Sequence, residues 1–71
     1  MKEQLIQYGF IEKEESGWFI LDKNGWQFDL NPFDNYVWLY PPDCADDHGI
    51  ALFYETYEKL IALIAFITQY K

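Results

Sequence analysis

Residues 17–30 read GWFILDKNGWQFDL, two aromatic-rich runs on either side of Asp22, Lys23, Asn24 and Gly25. Those four residues supply the positive φ angles of a tight hairpin, so the stretch predicts two antiparallel strands. In the second run Trp26, Phe28 and Leu30 point one way and Gln27 and Asp29 the other, the alternation of a sheet with one wet face. The first run, Trp18 to Leu21, is apolar on both faces. It is therefore either a central strand covered on both sides or a strand whose second face belongs to a contact surface.

Toward the C-terminus, Asn31, Pro32, Phe33, Asp34 and Asn35 form a turn, because proline lacks the ladder N–H and Asx side chains bond their own backbone. A third strand follows over 36–40, with Val37 and Leu39 alternating against Tyr36, Trp38 and Tyr40, one face aliphatic and the other aromatic. Pro41 and Pro42 stop it, and a polar loop runs over 43–49. Residues 50–54 place Ile50, Leu52 and Tyr54 on one face. They read as a fourth strand rather than the start of the last helix, since Thr56 is the better N-cap. That helix, TYEKLIALIAFITQY over 56–70, has Glu58 in its first turn, where the helix dipole favours an acid. At about 100° per residue Tyr57, Leu60, Ile61, Ile64 and Ile67 share a face, and Leu63, Phe66 and Tyr70 form a ridge beside it. The apolar arc is roughly twice the stripe one sheet would cover, which points to an interaction surface at Leu63, Phe66, Ile67 and Tyr70.

Toward the N-terminus, residues 2–8 carry Leu5 and Tyr8 on one side with Ile6 adjacent, and Gly9 stands where a helix ends in a left-handed residue. Phe10 then closes the cap, Ile11 extends the apolar patch, and residues 12–17 are a polar connection. The whole chain, 1–71, reads as one α+β domain. Its parts are a short N-terminal helix, an antiparallel sheet of three to four strands and a C-terminal helix packed across one sheet face.

A chain of 71 residues buries only about 60% of the surface its unfolded state exposes. Three Trp, six Tyr and six Phe answer that limit with large rings. Five lysines, no arginine and twelve acids leave a formal charge of −7. That balance opposes direct binding to nucleic acid or to an anionic membrane and favours a basic partner. The single cysteine, Cys44, allows no internal disulfide. The opening MKEQLIQYGF lacks the apolar run of a signal peptide, and the longest apolar run, over 60–67, is far short of the roughly 20 residues of a membrane span. A soluble cytoplasmic protein is expected.

No catalytic or cofactor motif is present. Asp43, Cys44, Asp46, Asp47 and His48 gather potential metal ligands in one loop, but their spacing fits no zinc or calcium pattern, so no metal site and no cofactor are assigned. Cys44 and His48 form the sole thiol and imidazole pair, and the three neighbouring aspartates disfavour a thiolate. The glycines are isolated, each explained by a turn or cap, so no phosphate cradle exists. Tyr36, Trp38 and Tyr40 invite base stacking, yet a stacking platform needs a basic groove that five scattered lysines do not build. Those rings are expected to pack against a helix or a second subunit.

The expectation is a non-enzymatic protein-binding protein. It self-associates as a homodimer through the terminal helix and presents acidic edges, Glu12, Glu14, Glu15, Asp43, Asp46 and Asp47, to a basic partner. In size and acidity the chain is similar to the small inhibitors that phages and mobile elements encode against nucleic-acid-binding defence proteins. The similarity is one of composition, and it implies carboxylates standing in for phosphates. The alternatives are a dimerisation module or complex subunit using the apolar helix, and a metal-binding protein using the loop over 43–48.

Overall fold

The Asn24–Gly25 turn sets the register of everything beside it. In a computed structural model that describes residues 2–14, 16–42 and 49–69, Asn24 and Gly25 adopt φ of 54° and 86°. Lys23 sits opposite Trp26 across the two-residue loop. Two successive positive φ angles match the twist of the flanking strands, which is why Asn-Gly is favoured there. The strands so joined are β2 (Phe19–Lys23) and β3 (Trp26–Leu30).

Asn31 turns the chain toward β4 (Tyr36–Tyr40), its Oδ1 accepting from the Phe33 N–H at 3.0 Å and its carbonyl from the Asp34 N–H at 2.9 Å. β5 (Ile50–Phe53) pairs antiparallel with β4, and Tyr54 N–H extends the ladder to the Asn35 carbonyl. At the other edge β1 (Ile11–Glu12) pairs with β2. The sheet therefore has five strands in sequence order, all antiparallel, rather than three to four. The additional strand falls in what the sequence shows only as an apolar residue followed by a polar connection. A two-residue strand carries no alternation to read; tertiary pairing alone creates it, with Lys13 N–H bonding the Trp18 carbonyl at 2.8 Å.

Helix α1 (Lys2–Tyr8) ends at Gly9, whose φ of 129° a side chain rarely adopts. The Phe10 N–H bonds back to the Leu5 carbonyl at 2.9 Å, and the Phe10 ring is buried. Helix α2 (Tyr57–Thr68) begins at Thr56, whose hydroxyl accepts from the Lys59 N–H at 3.2 Å. Its last turn is tied to the hairpin, Asn24 Nδ2 donating to the otherwise orphan Thr68 carbonyl at 2.8 Å.

Alternation sorts the sheet into two faces. Phe19, Leu21, Phe28, Leu30, Val37 and Leu39 are buried, and they share one core with Leu5 of α1 and Leu60 and Ile64 of α2. Lys23 and Glu12, on the same register parity, reach the first helix: Lys23 Nζ donates to Tyr8 Oη at 3.0 Å, and Glu12 pairs with Lys2 at 3.1 Å.

Tyr54 closes the core below β5, donating its hydroxyl to the Asp34 carbonyl at 3.3 Å. Burial, and then the negative charge of Asp34, raise its pKa above the ordinary tyrosine value of 10.0. A raised value in the folded state means the unfolded chain gives up this proton first. The stabilisation is complete below pH 10 and is lost as pH climbs through the raised value. Tyr54→Phe is expected to be less stable than wild type at pH 7, by about 1 kcal/mol for the lost hydrogen bond. The gap should narrow above pH 10. Urea midpoints of both proteins at neutral and alkaline pH measure it, and a constant gap would contradict the assignment.

Candidate interaction surface

The second face of the sheet is built from residues of opposite parity. Ile11, Ile20, Asp29, Trp38 and Ala51 stand opposite one another in a single row across all five strands. Asp22, Gln27 and Tyr40 form the neighbouring row on one side, and Tyr36 and Phe53 begin another on the other side. Trp18, just before β2, continues the parity of Ile20. The apolar character of the first hairpin run on both faces is resolved this way: Phe19 and Leu21 enter the core, while Trp18 and Ile20 face outward.

Neighbouring rings on this face support one another yet stay exposed. Tyr36 and Phe53 meet edge to face, with centroids 5.8 Å apart and planes at 69°, the arrangement that ring quadrupoles favour. Trp18 is 37% and Trp38 39% exposed, and Ile11, Tyr36 and Phe53 are more so. Contiguous exposed rings of this kind mark contact surfaces more often than they mark chance. Trp18 and Trp38 both line each of two adjoining depressions. The larger, of about 550 Å³, runs between Ile20, Asp29 and Tyr40, with Lys13, Glu14 and Ser16 at its rim. The smaller reaches Asn31, Asp34, Tyr36 and Ala51.

Asp29 is the one charged side chain in the central row. Gln27, two residues before it on the same face of β3, donates from Nε2 to Asp29 Oδ1 at 3.0 Å. No other donor among the described residues engages that carboxylate. A carboxylate set among indole, phenol and sec-butyl groups is a poor place for an anion and a good one for a cation or a hydrogen-bond donor.

The expected helix ridge is arranged differently. Leu63 and Ile67 are partly buried and pack against the core, whereas Phe66 is 58% exposed. Tyr70 lies outside the described residues. The first helix takes part of the wide arc's neighbourhood, since Tyr57 Oη donates to the Gln4 carbonyl at 3.1 Å. Of the expected acidic edge, Glu12 is engaged with Lys2 and Glu14 is exposed beside the larger depression. Glu15, Asp43, Asp46 and Asp47 lie outside the described residues, as does the whole candidate metal loop with Cys44 and His48. Among the described residues no three His, Cys, Asp or Glu side chains stand together as a metal site would require. No described helix is long and apolar enough to cross a membrane.

Read residue by residue, the sequence showed Tyr36, Trp38 and Tyr40 as an aromatic stripe, but not Trp18, Ile20 and Asp29 as its companions. The signal was there in the alternation of the hairpin, with Asp29 and Ile20 both on the parity opposite the core. Only the register makes them direct neighbours of Trp38. No protein-family model, curated protein or solved structure matches this chain.

Proposed function

We propose that this chain is a non-enzymatic binding protein that receives a basic segment of a partner protein on the outward face of its sheet. In this reading α2 crosses the inward face and completes the core, which leaves the outward face for the partner. The observation that carries it is the pairing of exposed Trp18, Tyr36 and Trp38 with the carboxylates of Glu14, Asp29 and Asp34 around the same two depressions. Rings supply the desolvated area of an interface, and carboxylates select the sign of its partner. The chain's charge of −7 draws a basic protein toward it and repels a phosphate backbone. A nucleic-acid-binding protein of the cytoplasm is the partner class that size and acidity indicate, with carboxylates occupying positions that phosphates would otherwise take.

A second reading, a homodimer through α2, is favoured by the exposure of Phe66 on a helix whose other large apolar residues are at least partly buried. Light scattering over a range of concentrations tests it: a dimer that Phe66→Ser dissociates supports contact through α2, and a monomer at every concentration overturns it.

The test of the main reading is a titration with a short arginine-rich peptide and, in parallel, with a single-stranded oligonucleotide. Peptide affinity is expected to fall by about tenfold or more between roughly 50 and 500 mM salt, as screening removes the charge term. The oligonucleotide is expected not to bind. Peptide affinity independent of salt, or binding of the oligonucleotide instead, overturns the reading.

A further inference from the structure

The larger depression has a chemistry narrower than "acidic and aromatic". Asp29 occupies its floor, directly between Ile20 of β2 and Trp38 of β4. Trp18 and Tyr40 add two more rings to the lining. One carboxylate oxygen is held by Gln27, which fixes the orientation of the group, and among the described residues the other accepts no bond. At about 550 Å³ the space falls within the range of ligand sites.

Resting on the reading above, we infer that this depression receives the guanidinium of one arginine of the partner segment, with Asp29 as its counter-charge and Trp18, Trp38 and Tyr40 as its stacking walls. Three features select guanidinium. Indole faces attract cations most strongly among the aromatic side chains, and a planar, weakly hydrated ion lies flat against them. A carboxylate already oriented by a neighbour loses little freedom when it accepts the fork of N–H groups. The compact, strongly hydrated ammonium of lysine satisfies the charge but not the stacking.

The charges facing the site agree in sign with this occupant. Glu14 stands at the rim, and Asp34 lies in the adjoining depression beyond Trp18 and Trp38. Lys13 is the one cation in the lining, and it makes no ion pair with Asp29 or Glu14 among the described residues. Its ammonium opposes the incoming cation, so removing it is expected to strengthen binding. That is the opposite sign from removing Asp29.

The experiment uses the full chain and three peptides of one sequence, carrying arginine, lysine or the uncharged isostere citrulline at a central position, followed by indole fluorescence. The arginine peptide is expected to bind at least fivefold tighter than the lysine peptide and at least tenfold tighter than the citrulline peptide. Asp29→Asn is expected to weaken the arginine peptide by about tenfold, the size of one lost charge-assisted bond. Asp22→Asn removes the same unit of charge from the same face away from the depression, and is expected to change affinity less than threefold. Lys13→Gln is expected to tighten binding about twofold or more. Equal losses for Asp29→Asn and Asp22→Asn would overturn the pocket while leaving a diffusely electrostatic face intact. Lysine and arginine peptides of equal affinity would overturn the guanidinium assignment. If no basic peptide binds wild type at all, the functional reading and the pocket fall together. The three-peptide comparison on wild type stands even if a variant folds poorly.

Discussion

Phe28→Ala is expected to leave the protein largely unfolded at ambient temperature. Phe28 has no exposed surface, lies on the central strand of the sheet, and stands between Leu21 and Leu39 on the inward face. Truncating a buried phenylalanine costs about 3–5 kcal/mol through lost transfer energy and the cavity left behind. A domain of this size commands only about 4–10 kcal/mol in total, and the cavity would open where every layer of the core converges. Urea unfolding followed by far-ultraviolet circular dichroism measures the loss. Phe33→Ala is the matched control, because Phe33 is 91% exposed in the β3–β4 turn, and surface truncations usually stay within about 0.5 kcal/mol. Similar midpoints for the two variants would mean that the core is not centred where the structure puts it.

The second large effect is on binding. Trp38→Ala is expected to weaken the arginine-rich peptide by about thirtyfold or more, the loss associated with a truncated aromatic anchor of 2 kcal/mol or above. Trp38 is shared by both depressions and sits directly beside Asp29, so its removal takes a wall from each. With 39% of its surface already in solvent it contributes less to the core than Phe28 does, and the melting temperature is expected to move by only a few degrees. A peptide titration paired with a thermal melt therefore separates function from fold. An affinity loss below threefold would exclude the outward face as the binding surface. The same peptide lost on Phe66→Ser, with Trp38→Ala silent, would transfer the activity to α2.

Much of the local structure was legible because its causes are local. Gly9, Asn24–Gly25 and Thr56 each act through the φ angles or hydrogen bonds of their immediate neighbours, and the first helix, the hairpin and the last helix begin or end at those residues. Strands β4 and β5 were legible from alternation, within one or two residues of their ends. β1 was not, since two residues have no period. The wide apolar arc of α2 was read as an excess left for a partner. In the structure Tyr57, Ile61, Leu63 and Ile67 are drawn to the margin of the core, with Phe66 left exposed. A helical wheel counts apolar positions but not how many surfaces surround the helix, and here Tyr57 of α2 also reaches the first helix at Gln4.

By itself the sequence determined the class of the fold, the Asn24–Gly25 turn, the end of the first helix, the start of the last and the sign of the chain's own charge. Each of these depends on residues a few positions apart or on composition alone. Only the tertiary structure decided that Trp18, Ile20, Asp29, Trp38 and Tyr40 form one surface, because strand register brings together residues up to 22 positions apart in sequence. It also left that face open. The rings at 18, 36, 38 and 53 alternate as regularly as the core residues beside them, and periodicity is blind to which of two apolar faces is buried. The core that Leu5, Leu60 and Ile64 form with the inward face makes that choice.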